Sequence, residues 1–388
     1  MRTGTGVLGW VLFGLAVPLW AGEDMLPLQR KTGPDEGRSS IIAPKKDPEG
    51  KPYVPPPPIP SVQSVGTYGS PRINEVMLKD LLGKDLDLWI VKGLASDPSA
   101  VDMEKTFVDK IKKKYGFPFA EWSIIQYFQP DGLAMHITLD VVEQADVARR
   151  MPFLAAPNEN IPDPDGLIKQ WMEYETIALE LVENGSIQPE KDRCVALHCP
   201  FGHKHDKLKK FEKIFVDGVK KNAAALMQVQ TRDRHPEARG AATYLLAYLS
   251  SDKKKVVDAM VDRIRDPDPL VRNNALRVLG DIAEFHPEVP IPLKPLVPVL
   301  DFPRVSDRSK ALYAILLLAL NSNEVRAELL RSSVPTLISL MECKQPDHRD
   351  LAHTILRKIS GKDFADNDIR PWVAWYRKLP PAGEISKK

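Results

Sequence analysis

Between Cys194 and Asp206 the chain reads CVALHCPFGHKHD, which gathers two of its three cysteines and three of its eight histidines. Thiolate sulfur and neutral imidazole are donors that zinc accepts, and Cys194, Cys199, His203 and His205 make up a four-ligand set. Against that set, the spacing C-x3-H-C-x3-H-x-H lacks the paired ligands found at each end of a finger or ribbon. The adjacent His198 and Cys199 would converge on one ion only if the loop were tightly curled. A Cys-His nucleophile pair is a second chemistry, but the sequence identifies no oxyanion hole and no orienting group for it. The third reading joins Cys194 to Cys199 as a disulfide and leaves Cys343 as a buried free thiol inside a repeat helix. So short a loop adds only modest entropic stability, yet it fixes the start of the helix that follows, Lys207 to Leu226. The disulfide is the reading taken here, with the metal site and a pair of reduced, packed thiols open beside it. Walker loops, G-x-S-x-G, H-E-x-x-H and dinucleotide fingerprints are all missing from the sequence. The expectation is a protein without catalytic residues and without a cofactor.

The elements that must position this loop announce themselves by repetition. Arg239, Arg272, Arg308 and Arg349 recur at intervals of 33, 36 and 41 residues. Three residues after each stands an alanine (Ala242, Ala275, Ala311, Ala352). Seven after each stands Leu246, Leu279, Ile315 or Leu356, and ten after each Leu249, Ile282, Leu318 or Ile359. Offsets of three, seven and ten fall on one stripe of a helix, and the small alanine lets a neighbouring helix approach. Pro236, Pro269 and Pro346 precede three of the arginines, at a helix N1 position where a missing N–H costs nothing. Ile264, Leu300 and Met341 each close an earlier apolar helix. The units are helix pairs with periods in the range of α-solenoids. The third unit departs from the pattern: its VPIPLKPLVPVLDFP (Val289 to Pro303) predicts a short, kinked or irregular first helix. The repeated arginines are expected to pair with an acid of the adjacent unit, and Trp372, Trp375 and Tyr376 to cap the last one.

Upstream, Leu167, Trp171, Tyr174, Ala178 and Leu181 mark one helix face that should dock on the solenoid. Residues 71–155 read as a small α+β module: a strand-like run LDLWIVKG (Leu86 to Gly93), a helix from Ser99 stopped by Gly116, then a hairpin through Pro130 to Gly132. Met135, Ile137, Leu139 and Val141 alternate with Ala134, His136, Thr138 and Asp140, so one sheet face is expected under the helix and His136 on the polar face. Residues 22–70, with KPYVPPPPIP, predict an extended, disordered Pro-rich tether.

The first residues place Arg2 before an apolar run, Val7 to Trp20, followed by small and acidic residues, the layout of a signal peptide at 1–21. If that segment stays uncleaved it tethers the chain to a membrane. An exported chain meets an oxidising compartment, which favours the disulfide. With 54 Lys and Arg against 52 Asp and Glu, the net charge of +2 disfavours nucleic acid as a partner.

RDPDPLVRNNALRVLGDI (Arg265 to Ile282) resembles the HEAT repeat, in which an Asp-Pro turn leads into Val-Arg and an Ala-rich inner helix. The stretch from HCPFGHKH through LDFPRVSDRSKAL to ISGKDFADNDIRPWVAWYRKLP is similar to a family of exported bacterial HEAT-repeat proteins of unassigned function. That resemblance implies fold and compartment and no activity. KKYGFPFAEWSI followed by a hairpin ending DVVE resembles a POTRA module, the periplasmic peptide-binding unit of outer-membrane assembly proteins. Together these predict a mainly α chain: leader, tether, α+β module, helical joint with the Cys/His loop at 156–206, HEAT-like solenoid at 207–362, and cap and tail at 363–388. Its function would be to bind a protein partner, as an interaction scaffold in the periplasm or cell envelope. The alternative is a zinc-dependent protein centred on the loop.

Overall fold

The computed structural model describes residues 60–380 apart from 96, 130–131 and 190–193. The leader at 1–21, the tether up to residue 59 and the tail at 381–388 lie outside the described residues. Strand β1 (Pro60–Tyr68) is followed by helices α1 (Glu75–Leu82), α2 (Lys84–Leu94) and α3 (Ser99–Tyr115), then by the hairpin β2 (Phe119–Gln129) and β3 (Gly132–Val142). The sheet order is β1-β3-β2, with β1 parallel and β2 antiparallel to the central strand. Ile137 lies opposite Val65 on one side and Ile124 on the other. Helix α3 stops as its sequence predicts, at Gly116 with φ of 72°. Met135, Ile137, Leu139 and Val141 form one buried face, packed with Trp89, Phe107 and Ile111.

Two readings of this unit need correction. LDLWIVKG is not a strand but most of α2: Leu86, Trp89, Ile90 and Gly93 are buried at helical spacing, while Leu88 and Val91 are 47% and 61% exposed. Leu86, Leu88 and Ile90 fit a period of two while Leu86, Trp89, Ile90 and Gly93 fit a helical one, and here the helix wins because one stripe suffices to cover the sheet. The first strand lies instead at 60–68, inside the stretch assigned to the tether. It leaves the sheet through Gly69, whose φ of 105° suits glycine, and a Cβ there would lie 2.1 Å from the Val141 carbonyl oxygen.

After β3 come the short helix α4 (Val147–Arg150), an extended segment, and α5 (Leu167–Glu183). All five predicted stripe residues of α5 are buried, and the helix packs on α6 (Asp206–Arg232) and α7 (Pro236–Leu246). Gly218 of α6 allows this approach, since a Cβ there would meet Leu167 Cδ2 at 2.5 Å. The second unit is α8 (Lys253–Arg263) with α9 (Pro269–Phe285). In the third, α10 (Leu293–Leu296) and a 3-10 turn to Asp301 precede α11 (Val305–Asn321), the irregular first helix that the prolines require. Helix α12 (Asn323–Ser332) leads into the fourth unit, α13 (Val334–Met341) and α14 (Pro346–Ser360), and α15 (Arg370–Tyr376) closes the stack.

The fold is thus a mainly α solenoid of helix pairs with a three-stranded sheet at its N-terminal side. Ala242, Ala275, Ala311 and Ala352 are fully buried, as are Leu246, Leu279, Ile315 and Leu356. Each such leucine contributes about 1.5–3 kcal/mol by leaving water, and the stripes join in one core that continues from unit to unit. Trp372 is buried against Phe364 and Trp375, closing that core, but Tyr376 is 40% exposed and takes no part in the cap. Cys343 is buried, as expected for a packed thiol, though it sits in the turn after α13 rather than within a helix. Among the described residues no helix is long and apolar enough to cross a membrane.

The second face of the sheet carries the larger surprise. Ala134, His136, Thr138 and Asp140 are buried too, because this face lies on the third and fourth units of the solenoid. Ser64 Oγ meets His136 Nδ1 at 2.8 Å, Arg304 pairs with Glu121 at 2.6 Å, and Glu75 pairs with Lys344. The Tyr127 hydroxyl accepts from the Asp347 amide at 3.4 Å. A strand with polar residues at alternate positions reads as half-solvated unless a polar partner surface is known.

Candidate functional site: the Cys-His loop and the arginine ladder

The loop that opens at Cys194 is turned by Pro200 and by Gly202, at φ of 68°. Tyr174 of α5 donates from its hydroxyl to the Gly202 carbonyl at 2.9 Å, and the Leu197 amide donates to the Ala247 carbonyl at 2.9 Å. These bonds lay the loop across the C-terminal end of α7. Cys194 and Cys199 stand at disulfide distance, with Sγ atoms 1.99 Å and Cα atoms 6.1 Å apart.

The histidines go different ways. His203 is buried, its Nδ1 lies 3.3 Å from the Leu208 carbonyl and its Nε2 lies 2.6 Å from the Tyr248 hydroxyl. A carbonyl can only accept, so Nδ1 carries the hydrogen and Nε2 presents its lone pair to the tyrosine. Burial holds this imidazole below its ordinary pKa, which keeps it neutral. His198 turns the opposite way, stacks on Tyr244 at 5.0 Å between centroids and bonds Asp281 of α9 at 2.7 Å through Nδ1. His205 caps α6, accepting the Lys207 amide on Nδ1 at 3.3 Å.

Of the four ligands in the sequence-based metal set, the structure therefore gathers three. One donor atom each from Cys194, Cys199 and His203 lies within 4.8 Å of the others. His205 is removed from the set by its capping duty, and Tyr248 already occupies the His203 lone pair. Fitting zinc would require both thiolates free and that hydroxyl displaced.

The arginine ladder is built from one motif used three times. Arg239 reaches Asp266 of the next unit at 2.7 and 3.0 Å, and Arg272 reaches Asp307 of the next at 2.8 and 2.9 Å. Each is a charge-assisted pair in which carboxylate and guanidinium are both buried. Each arginine also donates through Nη1 to the carbonyl six residues before it: Asp233, Asp266 and Phe302. Arg308 keeps that bond but finds its carboxylate elsewhere, at Asp140 of β3, 2.6 Å away. The sheet thus supplies the acid that a neighbouring unit supplies below. Tyr68 lies under the Arg308 guanidinium at 4.2 Å, and Arg150 of α4 lies 5.3 Å from the same ring while donating to the Asp301 and Val141 carbonyls. Arg349 is outside the ladder, half-buried and paired with Asp350 beside it. The expected partner in the adjacent unit is found for two arginines of four. Beside Arg308, burial pushes the Cys343 thiol up to about 12, so it stays protonated and inert.

Sequence reasoning missed Asp140, because nothing local distinguishes an aspartate on the polar side of a strand from one that enters a guanidinium seam. It also missed Arg150, which is 1% exposed.

With this geometry in hand, the match to a family model agrees in kind. Residues 223–315 match the family model of HEAT repeats, a span that runs from the second half of α6 into α11. Among solved structures the chain is similar to computationally designed armadillo repeat proteins for modular peptide recognition, at 16% identity over 55% of this chain and 89% of that one, with a TM-score of 0.33. No curated protein matches the chain.

Proposed function

We propose that this protein is a non-catalytic scaffold that binds a protein partner on its solenoid, outside the cytoplasm, in the periplasm or cell envelope. The observation that carries the reading is the stack of helix pairs itself: a continuous core shared by four units, held by buried Arg-Asp pairs, presents a long ridged surface. Export is supported by the pattern of Arg2, the apolar run Val7 to Trp20 and the small residues after it. We take Cys194–Cys199 to be a disulfide that staples the loop over α7. The test is crosslinking in the native envelope followed by affinity capture and mass spectrometry. One recurrent protein with crosslinks inside residues 206–376 is expected, whereas recovery of the bare chain alone would overturn the reading.

A second reading has a specific observation behind it, the convergence of Cys194, Cys199 and His203. It makes the loop a zinc site. Thiol titration of the denatured, unreduced protein with elemental analysis separates the two. The disulfide predicts one free thiol, Cys343, and no metal. Three thiols with stoichiometric zinc would transfer the site to the metal reading.

A further inference from the structure

The segment from Pro152 to Ile161 has no helix of its own, and among the described residues its backbone bonds go to the solenoid. They fall on a repeated atom. The carbonyl seven residues before each ladder arginine accepts one donor from this part of the chain: Asp301 from Arg150 Nε at 2.9 Å, Arg265 from the Leu154 amide at 2.8 Å, and Arg232 from the Glu159 amide at 3.2 Å. The carbonyl six residues before is consumed by the arginine, so the next one out is the acceptor that each unit offers at its turn. The solenoid donates in return, from Arg265 Nε to the Pro152 carbonyl at 2.7 Å and from the Arg234 amide to the Glu159 carbonyl at 2.7 Å.

Two side chains anchor the strap. Phe153 lies under the Arg272 guanidinium at 4.1 Å and edge-on to Phe302 at 5.2 Å between centroids. Glu159 pairs with Arg232 at 2.7 Å. Between them Leu154, Ala155 and Ala156 are exposed, so the middle of the strap lies on the surface while Phe153 and Ile161 pack against the core.

We propose that the turn edge of units one to three is a binding site for an extended peptide, and that the chain fills it in cis with its own residues 150–161. The occupant in trans is an extended segment of a partner protein bearing an aromatic residue and, six residues on, a carboxylate, which takes over the repeated carbonyls when the strap lifts. This rests on the protein-binding reading and adds where and how the partner is read.

The experiment uses the full chain and a fluorescent peptide of residues 149–163. Anisotropy is measured on the native protein and on the F153A/E159A variant, whose own strap has lost both anchors. The variant is expected to bind the peptide at least tenfold tighter than the native chain. Equal binding to both, or to neither, overturns the proposal. Should the variant fail to fold, amide exchange on the native chain decides: Leu154 and Glu159 should exchange at least a hundredfold faster than the core of α9, and exchange of all three in step would make the strap part of the core and end the proposal. If the peptide fails while the native chain still captures its envelope partner, this inference falls alone and the scaffold reading stands.

Discussion

Single side chains decide how the stack is joined. Arg272 and Asp307 are both buried, and removing one leaves the other charged and unpaired. Arg272→Met is expected to cost about 3–5 kcal/mol, while Arg272→Met with Asp307→Leu should recover most of it, because the pair's desolvation penalty is removed together with its attraction. Urea denaturation of the four members of the cycle measures this, and strictly additive losses would show that the two residues do not act as a pair. His348 is fully buried with Nε2 on the Val305 carbonyl at 3.2 Å, and burial together with Arg308 drives its pKa well below the ordinary value. Below pH 6.5 the unfolded chain takes a proton there that the folded chain refuses, so this residue's contribution falls as pH falls through the unfolded value. Burial lifts the Glu121 and Asp347 carboxyls to about 7 and about 6, which acts in the opposite sense over the same range. The comparison must therefore be native against His348→Gln, which should gain relative stability between pH 7.5 and 5; an unchanged gap would mean that the imidazole is protonated in the fold. The arginines were legible from their constant offset to Ala and Leu. Their acids were not, since Asp266 and Asp307 lie 27 and 35 residues ahead and Asp140 lies 168 behind.

Elements were legible where a period was present. The helix stripes of α5, α7, α9 and α14, the β2-β3 hairpin and the irregular α10 all follow from spacing and from proline. LDLWIVKG misled because Leu86, Leu88 and Ile90 alternate as in a strand while Leu86, Trp89, Ile90 and Gly93 also make a helical stripe, and β1 was hidden in a sequence whose prolines end only at its first residue. The polar face of β3 could not be assigned from the strand alone, because its partner is the turn region of units three and four. That junction has its own test. Asp140→Ala leaves the Arg308 guanidinium buried without a carboxylate and should cost about 3–5 kcal/mol. Amide exchange should accelerate together in β3 and α11. Acceleration confined to β3 would show that the sheet rests on the solenoid without stabilising it.

Taken as one body, the molecule is a stack of helix pairs whose turn edge is covered from one end to the other by its own N-terminal half. The sheet lies on units four and three, the strap crosses three to one, and α5 with the Cys-His loop closes over α7. What the sequence could state was the repeat; what it could not state was this coverage, because contacts between segments far apart in the chain leave no local pattern. The same arrangement sets where a partner can act, on helix faces left in water or on the edge once the strap yields. Hydrogen exchange of the chain alone and in complex with its captured partner resolves this. Protection should spread over successive solenoid units within residues 206–360, and protection limited to the sheet or to the Cys194–His205 loop would contradict a solenoid that works by holding its partner.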